Sequence, residues 1–205
     1  MTGATPPRVA CNPAEARTRQ PGGGGGVRDD ERSTRRATEF VAFTRAHRAD
    51  LVRTAALLCA GDEAFAEDVV QTTLTRLYLS WPRVRRADSP LAYARRSLTH
   101  VFIDEARRAH RRRETTMAEP ADALGTEPAA ADADPALREA MLAALASLGP
   151  RQRAVVVLRH WHDLDVAETA RVLGCSTGTV KSQNARALAH LRAHLGVLDP
   201  TLEVS

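Results

Sequence analysis

The residues whose types and spacing suit binding chemistry best lie near the C-terminus, within residues 165–195. Ala170, Gly174 and Val180 have the spacing of a helix-turn-helix. A small residue lets two helices approach, a glycine permits the positive φ of the turn, and an apolar residue seats the second helix on the first. Short helix pairs also occur in proteins that bind no DNA, so this spacing by itself leaves both readings open.

Polar side chains follow on the second helix of this motif, at the end that a recognition helix presents to base edges and phosphates. Asp165 and Glu168 predict a capping box on the first helix, and Ser176 predicts a cap on the second. The candidate duplex-binding residues are Ser176, Thr177, Thr179, Lys181, Ser182, Gln183, Asn184 and Arg186. Lys181, Arg186 and the helix amides would hold phosphates, while the hydroxyl and amide side chains would reach bases. For Asn184, contact with water alone is the alternative.

A second basic element is expected at residues 90–113, where Ser89 and Pro90 form a helix-start signal. This segment contains seven arginines and only two acidic residues, and aromatic and imidazole side chains lie among them in the sequence. Guanidinium groups bind phosphates and rings stack on unpaired bases, so this helix suits a nucleic-acid strand that is being opened. The alternative is a solvated charged helix, and Phe102 itself is predicted to lie in the core.

A third group of polar residues is expected to share one face of a helix over residues 63–81. Asp68, Gln71, Thr72 and Arg76 are three or four residues apart and can dock on a partner protein through hydrogen bonds and ion pairs. A face that contacts only solvent is the alternative on pattern alone.

The composition predicts an all-α fold, because aromatic residues make up only 4% of the 205 residues and no strand pattern occurs. Residues 114–135 contain six acidic residues, three prolines and no basic residue, which is typical of a flexible acidic linker. The predicted organisation is a disordered tail (1–37), a helical module (38–113), the linker (114–135), a helix-turn-helix module (136–196) and a short tail (197–205).

Charge and cysteine usage narrow the class of protein. The net charge of +4 suits a polyanionic partner. Cys11, Cys59 and Cys175 are isolated, which predicts no zinc site and fits a reducing cytoplasm. No apolar run approaches the length of a membrane span. No catalytic motif occurs, and His160 and His162 are expected at the surface or at helix ends, so neither an enzyme, a cofactor nor a metal is predicted.

Three segments in one order resemble a known family. They are AEDVVQTTLTRLYLSWPRV (66–84), SPLAYARRSLTHVFIDEARRAHRRRE (89–114), and residues 145–192, which contain GTVKS followed by ARAL and LR. Together they resemble the extracytoplasmic-function sigma factors of bacterial RNA polymerase, particularly the actinobacterial type. The resemblance implies a cytoplasmic initiation factor that binds core polymerase and directs promoter recognition and melting, with no chemistry of its own.

The resemblance also implies a role for each group of residues. The face of Asp68, Gln71, Thr72 and Arg76 would dock on the coiled coil of the largest polymerase subunit. The second module would read the minus-thirty-five element and touch the polymerase flap. The residues implied for the minus-ten element are Arg83, Arg85, Arg86, Tyr93, Arg95, Arg96, His100, Arg107 and Arg108.

Three positions in the two modules depart from the family pattern. Tyr93 stands where Trp is frequent, His100 where Asn is usual and Gln183 where Arg is usual. The last two remove expected contacts and leave the promoter sequence open. Family members are often kept inactive by an anti-sigma factor, so an anti-sigma factor is a further candidate partner. The alternative functions are a free-standing helix-turn-helix regulator of duplex DNA and an adaptor that binds protein alone.

Overall fold

A computed structural model of the chain describes residues 26–115 and 135–198, and every regular element within those ranges is helical. The predicted all-α class is therefore confirmed. The elements are α1 (Gly26–Leu58), α2 (Glu63–Leu79), α3 (Trp81–Val84), α4 (Pro90–Thr115), α5 (Pro135–Ala146), α6 (Pro150–Val156), a π-helical turn (Val157–Trp161), α7 (Val166–Leu173) and α8 (Thr177–Leu198).

The chain divides into two compact units, residues 1–35 and residues 36–205. Of the first unit, residues 26–35 are described, and they are helical, unlike the disordered tail expected up to residue 37. Arginine, glutamate and alanine favour helix without any buried partner, so this stretch can be helical although it has no apolar periodicity. The rest of the predicted N-terminal tail, residues 116–134 of the predicted linker and residues 199–205 lie outside the described residues.

Local side-chain caps begin the helices where the sequence predicts them. The Ser89 hydroxyl accepts a hydrogen bond of 3.2 Å from the amide three residues further on. The Asp165 carboxylate accepts from the Glu168 amide at 2.7 Å, and the Glu168 carboxylate accepts from the Asp165 amide at 3.1 Å. The Ser176 hydroxyl accepts from the amide of Thr179 at 3.1 Å. Each cap satisfies amides that have no partner within their helix.

Residues 83–88 follow a proline and are rich in arginine, and the sequence predicts a basic loop there. The structure differs from this prediction. Helix α2 ends at Leu79 rather than near Trp81, and residues 81–84 form the short helix α3. Trp81 is 4% exposed and Val84 is fully buried. These two apolar side chains, three residues apart, occupy one face of a helical turn and are buried together. Burial of that face explains why part of the loop is helical.

The core of the first module holds α1, α2 and α4 together. Its buried residues are Ala55, Leu58, Cys59, Ala66, Val69, Val70, Leu98, Val101 and Phe102. Phe102 is 1% exposed, as its sequence context predicts. Two residues of the second module, Ala154 and Val157, are buried in this same cluster. The two modules therefore share one apolar seam.

The helix-turn-helix adopts the expected local geometry. Ala170 and Val180 are buried together with Val155, which belongs to α6. Gly174 has φ +62° at the turn between α7 and α8. The small residue, the left-handed turn and the apolar seat are all present at the predicted positions, and together they fix the direction of α8.

Candidate nucleic-acid interface

Helix α8 presents most of the predicted duplex-binding residues to solvent. The exposed ones are the capping Ser176 and, on α8 itself, Thr177, Thr179, Lys181, Ser182 and Arg186. Val180 and Ala187, both fully buried, lie on the opposite side of the helix. The free amides at the N-terminal end of α8 add partial positive charge to the same end of the surface. This face can therefore hold phosphates and reach base edges.

Gln183 and Asn184 flank the buried side of α8 and are half-buried. The Asn184 carbonyl accepts a hydrogen bond of 3.0 Å from Nε2 of His160. Asn184 therefore contacts protein, in contrast to the alternative of water alone. Gln183 points to the other side, where it lines a cleft against α4. The sequence pattern did not distinguish these two from the fully exposed residues.

Helix α4 divides its basic residues between solvent and ion pairs. Arg96, Arg107 and Arg108 are exposed, and the last pairs with Glu105. Arg95 instead donates two hydrogen bonds to the Asp50 carboxylate, of 2.9 and 2.7 Å. This hydrogen bonding is the main reason that the pKa of Asp50 lies below its usual value. Arg95 can contact a phosphate only if this pair separates.

Three further arginines predicted for the minus-ten element lie in or just after α3, and Tyr93 lies in the first turn of α4. Arg83, Arg85 and Arg86 are exposed, and Arg85 forms an ion pair of 3.2 Å with Glu39. Tyr93 is half-buried against the cluster that contains Trp81. Part of the Tyr93 ring therefore packs against protein. The three arginines form an exposed basic patch.

His162 takes part in a polar cluster that the sequence pattern did not indicate. It lies at a helix end as predicted, but it is half-buried and its Nε2 lies 3.1 Å from the hydroxyl of Thr54, which is fully buried. Burial and the nearby Arg95 guanidinium lower the pKa of His162 to about 4, against the opposite effect of Asp50. His162 is therefore neutral near pH 7.

The lowered pKa of His162 predicts a pH-dependent stability. The unfolded chain, with an ordinary pKa near 6.5, binds more protons than the folded chain between pH 6.5 and about 4. The stabilisation is thus complete above pH 6.5 and is lost as the pH falls towards 4. Because the side chain is half-exposed, solvent screening reduces the effect to on the order of 1 kcal/mol.

The measurement is the free energy of unfolding in denaturant between about pH 7 and pH 5, above the range in which Asp50 titrates. We expect His162→Gln to reduce the slope with pH, because glutamine can still bond Thr54 and does not titrate. An identical slope in both proteins would contradict the assignment.

Arg153 of α6 is a second residue that sequence reasoning missed. Its guanidinium donates to the backbone carbonyl of Leu58 at 2.9 Å, at the end of α1. It also donates to the carbonyls of Leu148 and Ala146 at 3.0 and 3.1 Å. Burial lowers the pKa of Arg153. The side chain thus satisfies helix-end carbonyls of both modules, so it belongs to the seam and not to a nucleic-acid surface.

The two predicted DNA-binding surfaces face each other across one cleft. This cleft has a volume of about 350 Å³, and His100 and Arg107 of α4 line it together with Thr179 and Gln183 of α8. The His100 ring also hydrogen-bonds the backbone carbonyl of Val172, next to the turn of the helix-turn-helix. The structure therefore brings together residues assigned to two different promoter elements.

The predicted protein-docking residues lie on the outer side of α2. Asp68, Gln71 and Arg76 are exposed and Thr72 is half-buried, while Val69, Val70, Thr73 and Leu77 face the core. The Gln71 amide donates to the Glu67 carboxylate at 3.0 Å. The four residues thus lie on the side of α2 that faces away from the core.

Two absences hold for the described ranges, residues 26–115 and 135–198. No helix there is both long enough and apolar enough to cross a membrane. Within the same ranges, no three His, Cys, Asp or Glu side chains converge as a metal site would require.

Comparison with protein families assigns both modules. The family described as sigma-70 region 2 matches residues 43–112, and the family described as sigma-70, region 4 matches residues 138–191. The first match covers α2, α3 and most of α4, and the second contains α7 and most of α8. A free-standing helix-turn-helix regulator is not favoured, because the first module has its own sigma-factor match.

Comparison with curated proteins gives the same result. The RNA polymerase sigma-E factor of Streptomyces avermitilis is 39% identical over 157 residues, which cover 77% of this chain and 85% of the relative. The ECF RNA polymerase sigma factor SigM of Mycobacterium tuberculosis H37Rv is 31% identical over 167 residues, covering 80% and 81%.

The fold is also found among solved structures. The sigma factor RpoE of Bartonella quintana, solved in complex with the anti-sigma factor NepR, aligns with a TM-score of 0.64 at 23% identity, over 78% of this chain and 98% of that one. With both sigma-70 regions matched in order and curated sigma factors similar over most of its length, the chain belongs to the extracytoplasmic-function sigma factors of bacterial RNA polymerase, within the sigma-70 family and of the actinobacterial type.

Proposed function

We propose that this sigma factor directs transcription initiation by dividing promoter recognition between its two modules. The second module reads the minus-thirty-five element as duplex DNA through α8, and the first opens the minus-ten element with α3 and α4. The observation that carries the proposal is the exposed polar face of α8, with its capping Ser176 and with Lys181 and Arg186 free of the core. This is the surface that a recognition helix needs in the major groove.

Each type of side chain on α8 has its own role in this proposal. Lys181 and Arg186 contact phosphates, which position the helix and carry little sequence information. Thr177, Thr179 and Ser182 donate to or accept from base edges, which supply the specificity. Gln183 and Asn184, at the margins of the face, contribute at the edges of the site.

The first module acts through binding alone. Exposed arginines at α3 and α4 hold the phosphates of the opened strand, and aromatic or imidazole groups such as Tyr93 and His100 stack on unpaired bases. A site that binds unstacked bases more tightly than paired bases shifts the equilibrium towards melted DNA. No covalent step and no cofactor is required, so the sigma factor is not an enzyme in this mechanism.

The outer face of α2 is proposed as the docking surface for core polymerase, on the coiled coil of the largest subunit. Asp68, Gln71, Thr72 and Arg76 offer both charges and two neutral hydrogen-bonding groups there. Such mixed polar surfaces favour specificity and rapid association over tight burial. The second module would add a contact with the polymerase flap.

Two further features follow from the relatives. One structural relative carries an anti-sigma factor in its complex, and we extend this to an anti-sigma partner for this chain. A protein that binds promoter DNA and RNA polymerase acts in the cytoplasm, so we also propose a cytoplasmic location. The chain between the two modules, which is acidic, would pass along the basic nucleic-acid path of core polymerase.

In vitro transcription tests the proposal. Purified chain, core polymerase and a library of promoter fragments are combined, and start sites are mapped. We expect defined start sites only when the chain is present, and Asp68→Ala/Arg76→Ala should lower transcription through loss of core binding. No start site and no promoter complex with pure components would rule the function out.

A further inference from the structure

A surface ion pair joins α1 to the proposed docking surface of α2. The Arg48 guanidinium of α1 donates to the Glu67 carboxylate of α2 at 3.2 Å, and the two side chains are 49% and 50% exposed. The same oxygen of Glu67, Oε1, accepts a hydrogen bond of 3.0 Å from Nε2 of Gln71, one turn further along α2. Three side chains from two helices therefore form one chain of contacts, which ends at a residue proposed to bind core polymerase.

The contact with Glu67 fixes the orientation of the Gln71 side-chain amide. A carboxylate only accepts hydrogen bonds, so the part of the Gln71 amide that contacts it must be the NH2 group. The carbonyl is the other branch of this planar group, and it points away from the Glu67 oxygen. Gln71 is exposed, so its carbonyl can accept a hydrogen bond from a partner protein.

The neighbour of Gln71 on the docking surface also presents acceptors. Asp68 lies three positions before Gln71, on the same side of the helix, and it is exposed. Its carboxylate accepts hydrogen bonds and donates none. The two side chains together match a partner that offers hydrogen-bond donors at this end of α2. An amide turned the other way would set its NH2 group against those donors and leave both sides unpaired.

We propose that Arg48 is a positioning residue for core binding, which acts through Glu67 to hold the Gln71 carbonyl towards the donors of the polymerase. It rests on the proposed function, and it adds a residue of α1 to a docking surface otherwise formed by α2. Pairing with Arg48 restricts the rotamers of Glu67 and so keeps an acceptor in place for the Gln71 amide. A side chain that is ordered before association loses less conformational entropy on binding.

The alternative role for Arg48 is to hold α1 against α2, and the two roles predict different results. A purely structural contact affects core binding to the same extent whichever side chain occupies position 71. A positioning contact affects core binding only while glutamine is there. Because exposed ion pairs contribute little to folding stability, the free chain with Arg48→Ala should unfold at nearly the same denaturant concentration as the unchanged chain.

Titration of the labelled full-length chain with core polymerase measures the effect. We expect Arg48→Ala to raise the dissociation constant about three- to fivefold, which is the scale of an exposed ion pair. In a chain that already carries Gln71→Ala, the same substitution should change nothing further. Arg48→Lys can still pair with Glu67 and should stay within about twofold of the unchanged chain. Arg45→Ala, which removes the same charge from an exposed position on α1, is the matched control.

The orientation of the amide can be tested without polymerase. The side-chain NH2 signals of Gln71 in a nitrogen–proton correlation spectrum of the free chain are assigned by their absence in Gln71→Ala. We expect Arg48→Ala and Glu67→Ala to shift these signals, because both substitutions remove part of the chain of contacts. Arg45→Ala should leave the signals in place.

The outcomes separate this inference from the proposed docking surface. Additive losses in Arg48→Ala/Gln71→Ala overturn the inference, as do equal losses in Arg48→Lys and Arg48→Ala or unchanged Gln71 signals in Arg48→Ala. Core binding by Arg48→Ala at the unchanged affinity also overturns it, and the docking surface stands if Gln71→Ala still weakens binding. A Gln71→Ala chain that binds core as tightly as the unchanged chain refutes the docking surface itself, together with this inference.

Discussion

Charge reversal at Arg96 is expected to reduce open-complex formation by about ten- to a hundredfold while leaving core binding intact. Arg96 is exposed on α4, away from the buried residues of that helix. A charge-assisted hydrogen bond to phosphate contributes about 1.5–3 kcal/mol, and each 1.4 kcal/mol is tenfold in an equilibrium constant. Reactivity of unpaired thymines to permanganate, with Arg96→Glu in holoenzyme, measures the melted fraction directly.

The matched control is Arg45→Glu, which makes the same change of charge at an exposed position on α1. It should leave the melted fraction unchanged if the effect is local to α4. Equal loss of core binding and melting in Arg96→Glu would contradict the assignment.

The neighbouring Arg95 is a less informative position for this experiment. Its guanidinium holds the Asp50 carboxylate at 2.7 Å, and both side chains are mostly shielded from solvent. A glutamate there would face Asp50 and weaken the fold as well as any DNA contact. A substitution at Arg96 can reduce the DNA contact without weakening the fold, because Arg96 is exposed.

Removal of Lys181 and Arg186 is expected to weaken promoter binding and to flatten its dependence on salt. Each phosphate neutralised by a protein cation contributes about 0.9 to the slope of log K against log salt, so Lys181→Ala/Arg186→Ala should lower the slope by about 1.8. Both residues are exposed on α8, so the helix itself should be unaffected. Titration of labelled promoter DNA with holoenzyme at several salt concentrations gives both quantities.

Specificity provides the internal check on this second prediction. Loss of phosphate contacts should weaken binding to all minus-thirty-five variants by a similar factor, since phosphates carry no direct sequence information. Arg45→Ala serves as the control for a change in net charge. A slope that stays the same, or a loss confined to one base pair of the element, would remove Lys181 and Arg186 from the phosphate-binding set.

The local chemistry of this chain could be read from its sequence. The caps at Ser89, Asp165 and Ser176 depend on residues only three positions apart, and the structure contains each of them. The left-handed turn at Gly174 and the burial of Val180 follow from the same short range. Interactions of this kind are decided within one or two helical turns, so residue type and spacing are sufficient to predict them.

The boundaries of elements were predicted less well. Residues 26–37 are helical although nothing apolar recurs there, and α3 replaces part of the expected loop. Helix propensity without apolar periodicity is only weak evidence for a helix. The burial of Trp81 and Val84 depends on tertiary packing, which a local sequence pattern does not reveal.

The sequence by itself determined the composition of each binding surface: arginines and rings on α4, hydroxyls and amides on the first turns of α8, and a polar outer face on α2. Only the tertiary structure decided which of those side chains are free. Arg95 is held by Asp50, 45 positions away, and His162 by Thr54, 108 positions away. No periodicity connects such distant positions, because the first contact depends on how α1 and α4 pack and the second on how the two modules pack.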